Sequence, residues 1–273
     1  MEQELGIKEI HNATLEIVKK IAEICDEINI NYYVIFGSLI GAIRHKGFIP
    51  WDDDFDIAML RPDYDKFLEY CEKNGTSLYP LKLLNRNSCK NYPYTISRMN
   101  DFRYKAVYDN IIPYDSGLFV DIYPFDGYGS DPQLAVKKMS KRKTCLMYLV
   151  NWAIREKFKS PQRGGVLAQI ARRTCFNISH ILGKDWFLDQ FEKLSETFPY
   201  SESNYVGIVC WEKEVILYDK KSFEDYLLVP FENIQVKIPI GYKEILELEY
   251  GDYMKLPPEN ERVASHEYKL YRR

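Results

Sequence analysis

Hydrophobic positions in the first part of the chain follow two different periods. Across residues 7–28, apolar residues recur three and four positions apart, which is typical of a helix that buries one stripe. An apolar, β-prone run follows at residues 32–36, and after Gly37 and Ser38 the residues favour helix again. The pattern predicts a helix, a strand, a tight turn and a second helix.

The same reading predicts a mixed sheet flanked by helices, an α+β (mixed α/β) fold with a helical insertion. We expect a catalytic core over residues 1–130, a mainly helical basic insertion over 131–200, and C-terminal strands and a helix over 201–273 that complete the core and its site. The predicted strands are 52–60, 78–84, 94–99, 103–107, 118–123, 215–218, 226–229 and 234–238, and the later helices are 63–72, 131–197 and 242–249.

Composition limits the classes of partner and the compartment. The formal net charge of −3 gives no overall attraction for nucleic acid or an anionic membrane, so electrostatic partners must be sought locally. The six cysteines form no CxxC pair, which favours reduced thiols in a cytoplasmic protein. The N-terminus has no apolar signal core, and the most lipophilic stretch, residues 145–154, is too short to span a bilayer. We therefore expect a cytoplasmic protein.

An acidic run stands where the chain enters the core. Asp52, Asp53, Asp54 and Asp56 place four carboxylates within five positions, where they would repel one another unless a cation is bound. Alternate strand residues share a face, so Asp52, Asp54 and Asp56 would point the same way. Mg²⁺ prefers a few carboxylates together with substrate phosphate oxygens. A solvated acidic loop is the alternative, but the apolar strand that follows argues against it.

A further carboxylate interrupts the apolar segment at residues 118–123. A charge there is costly unless it is paired or bound to metal, so Asp121 is the natural third member of the site. The alternative is a core aspartate paired with an arginine such as Arg98. Asp126, between Pro124 and Gly127, is interpreted as a turn residue.

Gly37 and Ser38 stand where a predicted strand becomes a helix. Backbone amides at a helix N-terminus can cradle a phosphate, and glycine permits its close approach. The dipeptide thus predicts a phosphate-binding turn, although any tight turn could use the same residues.

Three segments together resemble a known family. They are GSLIGAIRHKGFIPWDDDFDIAMLRPDYDKF from residue 37, VDIYPFDG from residue 120 and YGDYMKLPP from residue 250. The chain resembles the LicD family of phosphocholine transferases, which includes the fukutin-related ribitol-phosphate transferases, over most of its length except the helical middle. The resemblance implies a nucleotidyltransferase-like core.

The resemblance also implies roles for individual residues. Gly37 and Ser38 match the phosphate turn, and Asp52 matches the first aspartate of the acidic motif. The implied catalytic and metal-binding carboxylates are Asp54, Asp56 and Asp121, with Asp52 beside them as a metal ligand. The residues expected to approach the donor phosphates are Arg44, Lys46, Arg262 and His266.

By this resemblance the protein is an Mg²⁺-dependent enzyme that moves phosphocholine from CDP-choline to a sugar hydroxyl of a teichoic acid or lipopolysaccharide precursor. Two ions are expected, with Mn²⁺ as the alternative metal. Open alternatives are transfer of ribitol- or glycerol-phosphate from its CDP donor, a DxD glycosyltransferase using a UDP-sugar, and a nucleic-acid or lipid-surface module. The clustered aspartates argue against nucleic acid.

Basic residues are dense between Lys137 and Arg173, where Glu156 is the one acidic residue. With apolar residues such as Leu146 and Trp152 between them, they predict basic amphipathic helices that contact an anionic membrane peripherally, at the inner face of the cell membrane. The alternative is a solvated face packed on the core. For a choline headgroup, the candidate aromatic residue is Trp51, whose alternative role is in the core.

Overall fold

The protein is built around a central sheet of seven strands. The structure, a computed structural model, describes residues 3–160, 163–211, 213–263 and 268–273. The strands are β1 (Tyr33–Val34), β2 (Asp56–Leu60), β3 (Leu81–Leu84), β4 (Ser97–Asp101), β5 (Tyr104–Tyr108), β6 (Leu118–Gly127), β7 (Tyr205–Gly207), β8 (Tyr218–Asp219), β9 (Tyr226–Phe231), β10 (Ile234–Pro239) and β11 (Tyr268–Arg272). The helices are α1 (Ile7–Glu27), α2 (Phe36–Ile40, continued by a π-helix at Gly41–His45), α3 (Arg61–Asn74), α4 (Pro132–Ala153), α5 (Gly165–Leu182), α6 (Lys184–Ser195) and α7 (Tyr242–Tyr250).

The central sheet has the order β1-β2-β6-β4-β3, with β7 added to β6 and β8 to β7. Strands β2 and β6 are parallel, and the other pairs are antiparallel. Separate ribbons form between β9 and β10 and between β5 and β11. The predicted α+β fold is confirmed.

Strand β6 is the centre of the core. All ten of its residues are buried, and since alternate residues point to opposite faces, both faces of this strand are covered. Helix α1 packs on β6 and β4, while α3 packs on β6 and β2. The stripe that α1 contributes includes Ile17, Val18, Ile21 and Ile24, as its spacing predicts.

Local details differ from the sequence-based expectations. Helix α2 already begins at Phe36, so β1 is shorter than predicted and Gly37 and Ser38 are helical residues. The segment predicted as a strand at 215–218 contributes only Tyr218, and the short strand β7 was missed because three residues show no periodicity. Asp126 is no turn residue: it lies buried within β6.

The predicted helical middle is three helices, α4, α5 and α6. Strand β7 of the C-terminal part pairs with β6, and β11 pairs with β5, so the chain returns to the first half twice. The division at residues 130 and 200 stays a prediction. Each helix in the described part of the chain is too short or too polar to span a bilayer.

Candidate active site

The parallel pairing of β2 with β6 brings two predicted site residues side by side. Asp56 and Asp121 lie directly opposite each other in the register of the two strands. Both are buried, with exposed fractions of 6% for Asp56 and 5% for Asp121. Asp54 precedes β2 by two residues, outside regular secondary structure, and lines the same cavity, of about 230 Å³. The structure therefore brings the three predicted carboxylates together.

Arg98 on the neighbouring strand β4 holds the third carboxylate. Its Nε donates to Asp121 Oδ1 at 2.5 Å and one terminal nitrogen donates to Oδ2 at 3.2 Å. The guanidinium is sandwiched at 4.0 Å from the ring centres of Tyr94 and Phe119. Burial lowers the pKa of Arg98, but Asp121 and the surrounding tyrosines Tyr108, Tyr114 and Tyr94 together raise it well above its ordinary value, so Arg98 carries a charge. The ion pair between Asp121 and Arg98, which was the alternative role considered from the sequence, is therefore present. Asp121 lines the cavity as well.

Ser38 connects α2 to the acidic strand. Its hydroxyl oxygen accepts a hydrogen bond from the backbone N–H of Asp56 at 3.0 Å, and the Ile35 N–H donates to the Asp56 carbonyl at 3.1 Å. These bonds fix the start of β2 against the start of α2. Ser38 thus positions Asp56, and its predicted contact with a donor phosphate stays a prediction.

The backbone at the start of α2 is unusual. Phe36, which lines the cavity, has φ of 53°, a left-handed conformation that is rare for a bulky residue and is often found at functional sites. Its ring packs edge-on against Tyr123 at 5.4 Å. A Cβ atom on Gly37 would lie 2.8 Å from Asp52 Oδ2, so this glycine lets the acidic loop approach. Asp52 is not among the residues that line the cavity.

The electrostatic effect of the carboxylates is visible at Tyr123. Burial raises the pKa of this phenol well above its ordinary value, and the negative charges of Asp56, Asp121 and Asp54 raise it further. Three carboxylates and one guanidinium line the cavity, so negative charge is in excess there. A divalent cation would balance that excess.

The donor set fits a hard cation such as Mg²⁺ in part. Carboxylate oxygens are its preferred protein ligands, and it commonly takes its remaining ligands from substrate phosphates and water. Within the described part of the chain, however, no three histidine, cysteine, aspartate or glutamate side chains are arranged to hold a metal ion by themselves. Asp54 and Asp56 would therefore need oxygen atoms of a bound substrate to complete a metal site.

Three residues predicted to reach the donor phosphates do not line the cavity. Arg44 donates to the backbone carbonyls of Tyr253 and Lys255 at 2.8 and 3.2 Å, and Lys46 is exposed at the end of the π-helix. Arg262 lies over the ring of Trp51 at 5.7 Å. Burial and the nearby Arg262 charge lower the pKa of Arg44.

His266, the fourth residue of that group, lies outside the residues that the structure describes. For all four residues the contact with donor phosphates stays a prediction.

Aromatic residues that the sequence did not single out form much of the cavity wall. Phe119 and Tyr123 flank Asp121 at the two-residue period of β6 and share its face, whereas the others come from parts of the chain that no spacing links to the aspartates. These residues are Phe36, Phe119, Tyr123, Trp211, Tyr250 and Tyr268.

A second, larger cavity of about 490 Å³ adjoins the first. Trp211 lines both cavities, and its ring packs edge-on against Tyr94 at 5.7 Å, next to Arg98. The end of α4 contributes Met147, Val150 and Asn151 to the lining. The two cavities therefore meet at Trp211.

The fold and this site define a class of protein: an α+β domain whose paired strands present carboxylates to one cavity. Residues 29–143 match the family model described as LicD/FKTN/FKRP, nucleotidyltransferase domain. The chain therefore carries a LicD-family domain, and the matched region contains β2, β6 and the three carboxylates. The predictions of LicD membership and of a transferase are confirmed.

One similar protein matches along its whole length. The lipopolysaccharide cholinephosphotransferase LicD of Haemophilus influenzae is 28% identical over 280 residues, which cover 98% of this chain and 99% of the relative. The uncharacterized protein RP689 of Rickettsia prowazekii is 31% identical over 121 residues, covering 41% of this chain and 45% of the relative. The uncharacterized protein RT0683 of Rickettsia typhi is 42% identical over 48 residues, covering 18% of this chain and 16% of the relative.

Proposed function

We propose that this protein transfers phosphocholine from CDP-choline to a sugar hydroxyl of a cell-surface glycan precursor, such as that of lipopolysaccharide or teichoic acid. The proposal is supported by the full-length similarity to a lipopolysaccharide cholinephosphotransferase. The structural observation that carries it is the cavity in which Asp54, Asp56 and Asp121 converge beneath aromatic walls.

Asp54 and Asp56 are the residues that would hold Mg²⁺, together with phosphate oxygens of the donor. Bound there, the ion would neutralise phosphate charge and make the acceptor hydroxyl more acidic. Asp121 is fixed in orientation by Arg98, and its carboxylate keeps the cavity negative enough to attract the ion. A second ion shared with Asp121 stays part of the proposal.

The aromatic wall suits the choline end of the donor. A quaternary ammonium is attracted to the faces of Trp and Tyr rings, and Trp211, Tyr250 and Tyr268 line the cavity that holds the carboxylates. Trp51 was the sequence-based candidate, but it lies outside this lining and already faces the Arg262 guanidinium. We therefore assign the choline-facing role to Trp211 and Tyr250.

The acceptor would approach from the second cavity. A sugar needs an aromatic face and a few polar groups, and the larger cavity offers Tyr94, Trp211, Thr95 and Asn151. Because Trp211 borders both cavities, an acceptor held there would lie next to the donor. That arrangement would hold the reacting groups of the two substrates close together.

The experiment is turnover of a donor panel by the purified protein with Mg²⁺. CDP-choline, CDP-ribitol, CDP-glycerol and UDP-glucose are compared by release of CMP or UDP, with and without a chelator. We expect CMP release from CDP-choline that the chelator abolishes and that Asp56→Asn reduces about a hundredfold or more. Release of CMP from CDP-ribitol or CDP-glycerol instead would mean that the transferred group is ribitol-phosphate or glycerol-phosphate. Release of UDP would indicate a glycosyltransferase.

The matched control is Asp53→Asn, which makes the same charge change three residues away, outside the cavity lining. Circular dichroism would establish that both variants are folded. Equal CMP release by folded Asp56→Asn and wild-type protein would contradict the proposal.

A further inference from the structure

Helix α5 has an apolar face that the rest of the described chain leaves exposed. Only Ser179 of its residues is buried. Leu167 is 82% exposed and Ile181 is 83% exposed, and at 100° per residue they fall with Val166, Ile170 and Ile178 on one side of the helix, within about 120°. We call these five residues, Val166, Leu167, Ile170, Ile178 and Ile181, the α5 face; Leu182, which is 41% exposed, lies at its edge.

The opposite side of the helix accounts for its attachment to the molecule. The Phe176 ring packs edge-on against Trp152 of α4 at 6.2 Å and against Phe158 at 5.5 Å. Seen down the axis, at 100° per residue, Phe176 and Ser179 lie on the side away from Ile170 and Ile181. The α5 face therefore points outward while the helix is held to α4.

The stretch of chain around the α5 face is basic, although Lys159 and Lys184 form ion pairs with Asp109 and Asp185. From Lys157 to Lys184 the sequence contains no aspartate or glutamate, whereas the protein as a whole has a net charge of −3. The basic residues of this stretch are Lys157, Lys159, Arg163, Arg172, Arg173 and Lys184. An exposed apolar helix face with flanking cations is typical of a helix that lies in the interface of an anionic membrane.

The structure changes which helix is suited to this contact. The apolar residues of the basic stretch considered from the sequence include Leu146 and Trp152 of α4, and both are buried in the core. Lys143 is also buried and donates to the carbonyls of Ile208 and Glu214 at 2.7 and 2.6 Å. Helix α4 is therefore packed on the core, which was the alternative to membrane contact. Helix α5 remains as the candidate for membrane contact.

We propose that α5 docks the protein on an anionic lipid surface, with the α5 face inserted among the headgroups and the basic residues against lipid phosphates. The end of α4, on which α5 packs, also lines the second cavity through Val150 and Asn151. Docking through α5 would bring that cavity near a membrane-borne acceptor. This last step rests on the proposed function, whereas lipid binding by α5 does not.

Vesicle co-sedimentation of the full chain tests the proposal. Wild-type protein should sediment with vesicles of phosphatidylcholine and phosphatidylglycerol, and much less with phosphatidylcholine alone. The double variant Leu167→Ser and Ile181→Ser should lower the partition coefficient at least about tenfold, because both side chains lose apolar contact with lipid. Arg163→Gln should lower it by about fivefold and weaken its salt dependence.

The matched control is Leu228→Ser, which removes a leucine that is 55% exposed on β9, outside α5. Its vesicle binding should equal that of the wild type. CMP release from CDP-choline in solution should be unchanged in the α5 double variant, so that lipid docking and the transfer reaction are judged separately.

Two outcomes would overturn lipid docking. One is equal sedimentation of wild type and double variant with anionic vesicles, or no sedimentation of either. The other is a wild-type dimer in sedimentation velocity that the double variant converts to monomer without any vesicle binding, which would make the α5 face a contact between two copies of the chain.

Discussion

At the scale of single residues, the three carboxylates of the cavity have different surroundings. Asp121 is buried and held by the Arg98 guanidinium, whereas Asp54 is half-buried just before β2. A buried ion pair is costly to break, since the remaining charge is left uncompensated. Asp121 therefore has a structural role as well as its place in the cavity, while Asp54 contributes mainly to the site.

Asp121→Ala should lower the free energy of unfolding by about 3–5 kcal/mol, because it leaves Arg98 buried without its carboxylate. Asp54→Ala should change it by less than about 1 kcal/mol, as expected for a half-buried position. Both variants should lose CMP release. Urea unfolding followed by circular dichroism measures the difference, and equal stabilities of the two variants would show that the Arg98 pair does not act as described.

At the scale of elements, α3 is joined to β6 by an ion pair between the half-buried Arg61 and the buried Asp126. Arg61 Nε donates to Asp126 Oδ1 at 2.7 Å, and Arg61 also reaches Asp65 one helical turn on at 3.3 Å. Burial raises the pKa of Asp126 to about 6, and the Arg61 charge only partly opposes this rise. The folded protein therefore holds a proton on Asp126 more tightly than the unfolded chain does.

The sign of the resulting pH dependence follows from linkage. The contribution of Asp126 to stability is full below its unfolded pKa and is lost as the pH rises through about 6. Relative to Asp126→Asn, the wild type should lose stability between about pH 4 and about pH 7, on the order of 1.4 kcal/mol per unit of pKa difference. Denaturant titrations across this range measure it.

The control for this prediction is Asp65→Asn, at a side chain that is 60% exposed and also contacts Arg61. Its stability should follow the wild-type pH profile. If the stabilities of Asp126→Asn and the wild type changed with pH in parallel, the pKa of Asp126 would be the same in the folded and the unfolded protein.

At the scale of the whole molecule, the two cavities meet where distant segments converge. Trp211 comes from the segment after β7, Asp54 from the segment before β2, and Asn151 from the end of α4. Lys143 helps to hold this junction, because its ammonium binds carbonyls on both sides of Trp211. A change at a residue that lines only the larger cavity, such as Asn151, should affect the acceptor and not the donor.

Asn151→Trp should raise the KM for the acceptor about tenfold, because the exposed asparagine lines the larger cavity and the indole would occupy part of it. Hydrolysis of CDP-choline without acceptor should be unchanged. Cys145→Trp, at an exposed position of the same helix outside the lining, is the control. An unchanged acceptor KM for Asn151→Trp would remove the larger cavity from the acceptor path.

The sequence by itself determined the features that depend on neighbours along the chain. The periodicity of α1, the helix after Pro62, the apolar entry into β2 and the interrupted strand around Asp121 are local patterns, and each predicted its element. The LicD-type motifs also identified the carboxylates that share the cavity. Such signals are readable because side-chain spacing within an element has a fixed period.

Only the tertiary structure decided how separate segments meet. The register of β2 with β6 puts Asp56 opposite Asp121, and the pairing of β4 with β6 delivers Arg98 to it. The aromatic walls, the burial of Asp126 and the exposure of α5 likewise depend on long-range packing. Local sequence patterns cannot encode these contacts, because burial depends on which surfaces the completed fold brings together.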